Sequence, residues 1–379
     1  MKVLILGAGP AGLYLAYLLK RQSPGVQLRV IEQNPPDATF GFGVVFSDRA
    51  LEFLRGDDPQ TCELVTSAME QWSDLVLNHR GSRVAIDGIG FAAIGRLKLL
   101  QLLQRRLASV GVSPEYRRAV TERSELDGYD LVVGADGVNS FVRGGRETDF
   151  GTRVEHLQNR FAWFGTSKRF ETLTQTFVEA EAGTFNAHHY RYAPDMSTFI
   201  VECDPQTWQR AGFADMDEAG TKAYCERVFA ATLDGHPLVA NRSTWRRFPK
   251  IGNERWSVGH HVLIGDALRT AHFSIGSGTR LAFEDAIALA KALREHPASI
   301  FDALAAFEAA RKPIVAKLVA AANASADWYE HFAEHMRLEP WDLAWQYIQR
   351  SRRVDVERLR KVSPAFVAGY EAHRASAGR

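Results

Sequence analysis

Three glycines and one acid place the first chemical constraint on this chain. Gly7, Gly9 and Gly12 stand in the spacing GxGxxG, and Glu32 follows twenty residues after Gly12. Glycine at 7 permits a tight turn, and glycine at 9 lets backbone approach a pyrophosphate. Glycine at 12 allows close helix–strand contact, while the helix N-terminus that follows offers unpaired N–H donors to the anion. Glu32 can accept from adenosine ribose hydroxyls and disfavours a 2′-phosphate, so the pattern predicts FAD or NAD rather than NADP. Gly7, Gly9, Ala11, Gly12, Glu32 and Gln33 are the first cofactor-binding candidates.

A second group follows a period of two. In the run 184–193, His188, Tyr190 and Tyr192 fall on one strand face, with His189 and Arg191 opposite. Such a face either packs as sheet core or hydrogen-bonds a phenol or amine. His188, Tyr190 and, in a later loop, His272 are the candidate catalytic residues, because a histidine is the natural base for a phenol near neutral pH. Arg269 has two readings, an ion pair with an acid or a receiver of an acyl oxygen. His331-Phe-Ala-Glu334-His335 matches the HxxEH spacing of some zinc proteases, but no third ligand is identifiable nearby. A surface helix is the expectation there, and no metal site is assigned.

Elements must position these residues. Lys2–Leu6 is a short aliphatic run suited to a buried parallel strand, residues 13–19 read as a helix, and Gln27–Glu32 as a second strand. A third buried strand, from Tyr129, breaks at Asp136-Gly137. A fourth, from His261, breaks at Gly265-Asp266, ahead of Gly276-Ser277-Gly278 and a helix from Thr279 to Leu293. Between these motifs, residues 160–203 alternate as strands do, with Phe199, Val201 and Cys203 on one face and Thr198, Ile200 and Glu202 on the other. Residues 216–231 and 279–322 are helical by period, and so is the charged tail from 323. The expected fold is α/β: a Rossmann-type dinucleotide-binding domain (1–158 and 256–325), which the resemblance given below makes an FAD-binding domain, an inserted β-sheet substrate domain (159–255) and a helical C-terminal region (326–379).

Composition narrows the function classes. The 379 residues predict two or three domains. With 46 basic and 45 acidic residues the net charge is +1, which excludes a generally basic nucleic-acid binder. Three scattered cysteines form no disulfide framework and suit a reducing cytoplasm. Val3–Leu19 is uncharged, but Gly7, Gly9, Pro10 and Gly12 break it and it falls short of the ~20 residues a spanning helix needs, so no membrane association is expected.

The Asp136-Gly and Gly265-Asp266 motifs, with the GxGxxG, make the chain resemble the single-component aromatic-ring hydroxylases of the para-hydroxybenzoate hydroxylase type over roughly residues 1–325. The resemblance implies FAD rather than NAD as the tight ligand, NAD(P)H as a transient co-substrate, O2 as the second substrate and an aromatic ring as oxygen acceptor. It further implies that Asp266 holds the flavin ribityl or diphosphate and that the helix opened by Gly276, Ser277, Gly278 and Thr279 points its N-terminus at the isoalloxazine. It puts Arg96 on the diphosphate, Val120 beside the adenine and Val45, in Gly43-Val44-Val45, along the flavin. One departure stands out: Arg269 occupies a position where the family usually carries histidine, and the family's following proline is missing.

A narrower branch resembles this chain in Phe161-Ala-Trp-Phe-Gly-Thr166, His188-His-Tyr190-Arg-Tyr192, Ala271-His272-Phe-Ser-Ile-Gly276 and Arg352–Arg360. It holds salicylyl-CoA 5-hydroxylase, the monooxygenase half of anthraniloyl-CoA monooxygenase/reductase and a hydroxylase of violacein biosynthesis. The reductase half lies outside the 379 residues, which favours the salicylyl-CoA type and an aromatic CoA thioester as substrate. 2-Aminobenzoyl-CoA, an indole or a free aromatic acid stay open, as does a flavin reductase or sensor on the same fold. Coenzyme A phosphates would need cations, and two clusters are candidates: Arg242, Arg246, Arg247 and Lys250, and Arg350 to Lys361. The alternative for either is a solvated helix face. A monomer or homodimer is expected.

Overall fold

The computed structural model describes residues 1–47 and 51–377. Its first sheet runs in the order Ser257–Val258, His261–Leu263, Leu131–Gly134, Lys2–Leu6, Gln27–Ile31. The last four of these strands pair in parallel, and Ser257–Val258 closes one edge antiparallel. Helices cover such a sheet on both faces, which is why its strands read as unbroken aliphatic runs: Val3, Leu4, Ile5, Leu131, Val132 and Val133 are all fully buried. The helix Pro10–Gln22 follows Lys2–Leu6 directly, with proline at its first position, where the missing N–H costs nothing. It packs against Gly278–Glu295, so the two helices expected to point their N-termini at the cofactor share one core. This is the expected Rossmann-type α/β arrangement.

The second sheet is larger. Its strands run Leu238–Val239, Thr152–Thr166, Met196–Cys203, Gly183–Ala193, Leu173–Ala180, Leu75–His79, Ser82–Ile86, and Arg246–Asn253 pairs along the first two-thirds of Thr152–Thr166. It therefore takes in residues well outside the 159–255 stretch. Leu75–His79 joins parallel to Leu173–Ala180, and its buried Leu75, Val76 and Leu77 are too short a run to announce which sheet they enter. One face buries Phe185, Ala187, Phe199, Val201 and Cys203 against Phe213, Cys225 and Phe229 of the helical segments 213–233. The opposite face looks toward the nucleotide domain.

A small third sheet, Gly43–Ser47 with Phe91–Gly95 and Glu70–Trp72, joins the two. Gly43 is required by proximity: a Cβ there would lie 2.6 Å from the Cβ of Tyr192. The helix Ile300–Glu330 leads out of the nucleotide domain to Pro340–Gln349, Val356–Val362 and Pro364–Ala377; the first and last pack at the sheet's end, on Leu75–His79 and the edge strand Ser82–Ile86, and Val356–Val362 packs on Pro364–Ala377. Tyr329, Leu343, Tyr347 and Phe366 share a core there with Leu75, Leu77 and Ile86. Cys62, Cys203 and Cys225 are buried and unbridged. Among the described residues no helix is long and apolar enough to cross a membrane.

Candidate active site

The glycine loop has the geometry its spacing predicts. Gly7 has φ of +100°, and a Cβ there would lie 2.2 Å from the carbonyl oxygen of Ala135. At Gly12 a Cβ would lie 2.0 Å from the carbonyl oxygen of Gly7, whereas at Gly9 it would meet nothing within 4 Å. The first and third glycines thus close the turn, and the second borders open space at the N-terminus of Pro10–Gln22. No side chain caps that N-terminus and no acid lies in its first turn. Glu32 sits at the loop's edge, where Oε2 accepts from the Ala8 N–H at 2.9 Å and Oε1 from the Asn34 N–H and Nδ2 at 2.9 and 2.7 Å. Gln33 next to it is exposed. The Arg118 N–H donates to the Glu32 carbonyl, which brings the segment carrying half-buried Val120 alongside the acid. Ala11 faces the Gly265 turn, 3.2 Å from where a Cβ on that glycine would stand.

A cavity of about 710 Å³ opens between the two main sheets. Val45, Arg96, Asp266, Gly276, Ser277, Gly278 and Thr279 line its nucleotide-domain side. Asp266 is open to the cavity lumen yet far below the outer surface. Burial raises its pKa, and the Arg96 and Arg269 charges oppose that rise. Burial in turn lowers the Arg96 pKa, and its Nε has no partner among the described residues. The helix Gly278–Glu295 also starts without a side-chain cap or an acid. Two uncapped helix ends, open space at Gly9 and an under-satisfied guanidinium form a cradle that fits a dinucleotide with its diphosphate.

Arg269 performs the structural one of its two roles. Its Nη1 and Nη2 donate to Asp285 at 2.7 and 2.9 Å, both residues being buried, and the same carboxylate accepts from the Gly265 N–H at 3.0 Å. The Gly265-Asp266 turn is therefore fixed from behind by an ion pair.

The facing wall is one face of the large sheet. Pairing places Gln175 opposite His188 and Ile200 opposite both His188 and Trp163, so these residues share a face with Phe161, Leu173 and Tyr190, and all line the cavity. The Tyr190 hydroxyl donates to the Gly43 carbonyl at 3.1 Å, and burial raises its pKa. His188 Nδ1 lies 3.0 Å from Gln175 Nε2, and its ring stacks on Tyr329 at 4.8 Å. His272 is close by but does not line the cavity. Its Nδ1 lies 2.8 Å from the Ser274 hydroxyl, and its ring packs against Phe273 and Phe248. Burial pushes the pKa of both histidines down to about 3, with the Arg350 charge adding to the effect, so both are neutral at ordinary pH. Tyr192 instead packs on Gly43 and Gly95.

Glu202 was not singled out as a site residue from the sequence, and Arg350 only as the head of a candidate coenzyme A cluster. Glu202 lies on the same sheet face, fully buried, with Oε2 3.8 Å from His188 Nε2 and Oε1 accepting from Asn159 Nδ2 at 3.0 Å. Burial pushes its pKa up to about 8. The two-residue period already put Glu202 on one face with Ile200, so a signal existed. Arg350 reaches the cavity from the C-terminal helices, donating to the Tyr347 and Ser274 carbonyls at 2.8 and 3.0 Å while its guanidinium stacks on the Tyr347 ring at 3.7 Å. No sequence period links it to the sheet. His331 and His335 serve otherwise: His331 Nδ1–H donates to the Asp327 carbonyl, His335 stacks on Trp328, and no metal-binding cluster exists among the described residues.

Comparison with known proteins agrees with this geometry. Residues 1–57 and 106–322 match the FAD binding domain family. The chain is 42% identical to a salicyloyl-CoA 5-hydroxylase from Streptomyces sp over 93% of its length and 70% of that protein's. It is 38% identical to a 3-hydroxy-4-methyl-anthranilyl-[aryl-carrier protein] 5-monooxygenase from Streptosporangium sibiricum, over 87% of this chain and 89% of the relative. The crystal structure of PqsL from P. aeruginosa in complex with 2-aminobenzoylacetate superposes with a TM-score of 0.68 at 22% identity, covering 88% of this chain and 98% of that one, and shows the shared fold. Cradle, cavity and sequence kinship lead to one assignment: the chain belongs to the FAD-binding family and is an FAD-dependent aromatic monooxygenase.

Proposed function

We propose that this enzyme hydroxylates the ring of an aromatic acyl group carried as a thioester, salicylyl-CoA above all, using NAD(P)H and O2. The observation that carries the reading is the apolar, cation-lined cavity between the nucleotide cradle and the His188 face of the large sheet. Two relatives whose names specify a thioester-bound aromatic acid support the substrate class. FAD, once reduced, supplies oxygen activation and delivery to the ring. The chain's own residues do the rest. Gly9, Arg96, Asp266 and the N-terminus of Gly278–Glu295 would hold the cofactor, with the helix end favouring negative charge on the reduced ring.

Ile200, Leu173, Phe161 and Trp163 present flat apolar surface to the substrate ring and exclude water, which would otherwise divert the reaction to hydrogen peroxide. His188 is the proton acceptor in this reading, acting through Nδ1. A substrate phenol displaces the Gln175 amide there, and Glu202, 3.8 Å behind Nε2 and kept neutral by burial up to about pH 8, supports the imidazolium in its ionised form. Tyr190 positions the Gly43 strand, and His272 supports Phe273 from behind. The buried free thiols suit a reducing cytoplasm.

The test is NADH and NADPH oxidation by the purified flavoprotein with salicylyl-CoA, 2-aminobenzoyl-CoA and the corresponding free acids, with products weighed by mass spectrometry. Stimulation by a thioester with a gain of one oxygen is the expected result. Stimulation by a free acid or indole alone would discard the thioester. Oxidation with no oxygenated product would favour a flavin reductase, and no stimulation at all a sensor.

A further inference from the structure

Six charged residues line the cavity: Arg96, Arg242, Arg246, Arg247, Arg350 and Asp266. Five cations against one acid leave a surplus of four positive charges, in a chain whose total net charge is only +1. A dinucleotide diphosphate brings two negative charges to the Arg96 end, so a surplus remains. Its location is informative. Arg242, Arg246 and Arg247 come from the segment 241–247 at the cavity's rim, where Arg242 and Arg246 are exposed and Arg247 is half-buried.

Each of the three is held in place, yet none is neutralised. Arg246 Nε donates to the Thr244 hydroxyl at 3.3 Å and its Nη2 to the Arg242 carbonyl at 3.3 Å. The Arg247 guanidinium donates to the Leu157 and His156 carbonyls at 2.7 and 3.2 Å. Arg242, in a left-handed conformation with φ of +54°, lies over the Phe40 ring at 5.2 Å. Among the described residues no carboxylate lies within 4.0 Å of any of the three, whereas Lys250 of the same stretch pairs with Glu155 and does not reach the cavity. At the end of the C-terminal basic run Arg360 pairs with Glu371 and Lys361 with Glu357, both pairs outside the cavity lining, and among the described residues of that run Arg350 alone lines the cavity. Guanidinium groups fixed by neutral carbonyls and left without counter-charges are preorganised for phosphate.

We propose that Arg242, Arg246 and Arg247 form a phosphate site at the cavity mouth that anchors the phosphopantetheine arm of the acyl thioester. The site rests on the thioester reading above. Its ligand chemistry is common to coenzyme A and to the prosthetic arm of a carrier protein, since both carry a phosphate at the end of pantetheine. The apolar inner cavity takes the ring, and the rim takes the phosphate.

The test compares the wild-type holoenzyme with Arg246→Gln and Arg242→Gln/Arg246→Gln, exposed positions whose change leaves the core untouched. Lys361→Gln, far from the cavity, is the matched charge control. FAD content and the thermal midpoint of each variant establish that it is folded. The readouts are KM and kcat with three salicylyl thioesters: those of coenzyme A, of 4′-phosphopantetheine and of phosphate-free N-acetylcysteamine. We expect the double variant to raise KM about tenfold for both phosphorylated thioesters and to change it less than twofold for the phosphate-free one.

An equal rise for both phosphorylated compounds would place the common phosphate in the site. A rise for coenzyme A alone would overturn the phosphopantetheine assignment in favour of its nucleotide phosphates. Unchanged KM throughout, an equal rise for the phosphate-free thioester, or a rise confined to NAD(P)H would also overturn it. If the wild type hydroxylates the free acid and none of the thioesters, the substrate reading itself fails, an outcome distinct from these.

Discussion

Buried charge is handled in opposite ways on the two walls of the cavity. In the nucleotide domain Asp285 takes a bidentate pair from Arg269 and a further contact from Arg311 at 3.6 Å, and Glu284 pairs with both Arg280 and Arg311. In the large sheet Glu202 and His188 are just as deeply buried, but their facing atoms stand 3.8 Å apart with no partner of their own. The first arrangement leaves no carboxylate unpaired and behaves as structure. The second keeps two titratable groups in a costly setting, which folding alone would remove, and such groups concentrate where proton chemistry is performed.

The sharpest way to break this contrast is Asp285→Asn. It strands the Arg269 charge in the core, while Arg311 keeps Glu284, a loss of ~3–5 kcal/mol by analogy with other buried pairs cut on one side. Thermal melting should show the drop, and the Gly265-Asp266 turn should release FAD on gel filtration. Retention of both stability and flavin would mean that the pair is dispensable.

Glu202→Gln should do the reverse to stability. The Glu202 pKa is raised to about 8 from an ordinary 4.5, so the folded protein holds a proton that the unfolded chain gives up. Wild-type stability therefore falls as pH rises from 4.5 through about 8, and glutamine removes that dependence. The variant should melt higher than wild type at pH 8, by ~1–3 kcal/mol equivalent, with little difference at pH 4.5. Its hydroxylation rate should fall and lose part of its pH dependence, a change that a purely structural glutamate would not produce. His188 runs the other way, its lowered pKa costing stability as pH falls from 6.5 through about 3. The smallest effect belongs to His331→Ala, which should stay within ~0.5 kcal/mol of wild type and leave zinc binding, followed by calorimetry, at background.

The nucleotide wall was legible in the sequence because backbone sterics act locally. Gly7 and Gly12 need no more than the turn they sit in, and the acid at 32 follows from the length of one βαβ unit. The opposite wall was only half legible. A period of two correctly put His188 with Tyr190 and Ile200 with Glu202, but whether those two faces coincide depends on strand register, which no single strand encodes. His272 has the right residue type in the right loop, yet the Phe273 ring takes the cavity position and leaves the histidine behind it. Arg350 was legible as a candidate cation but not in its place beside His188: it enters the site through the packing of Pro340–Gln349 on the sheet edge, a contact between segments more than 250 residues apart.

The interleaving of the two sheets along the chain has a consequence for how the protein is made. The parallel sheet needs Lys2–Leu6, Leu131–Gly134 and His261–Leu263, while the large sheet needs Leu75–Ile86 and the strands from Thr152 to Asn253. The large sheet cannot close before the ribosome has passed residue 253, nor the parallel sheet before 263, so some two-thirds of the polypeptide emerges with both sheets incomplete and strand edges unpaired. Birth of this enzyme is a single late event rather than a sequence of domains. A nick or premature stop anywhere before that point should leave no foldable half, and the nascent chain's need for a chaperone should end abruptly once the last strand arrives.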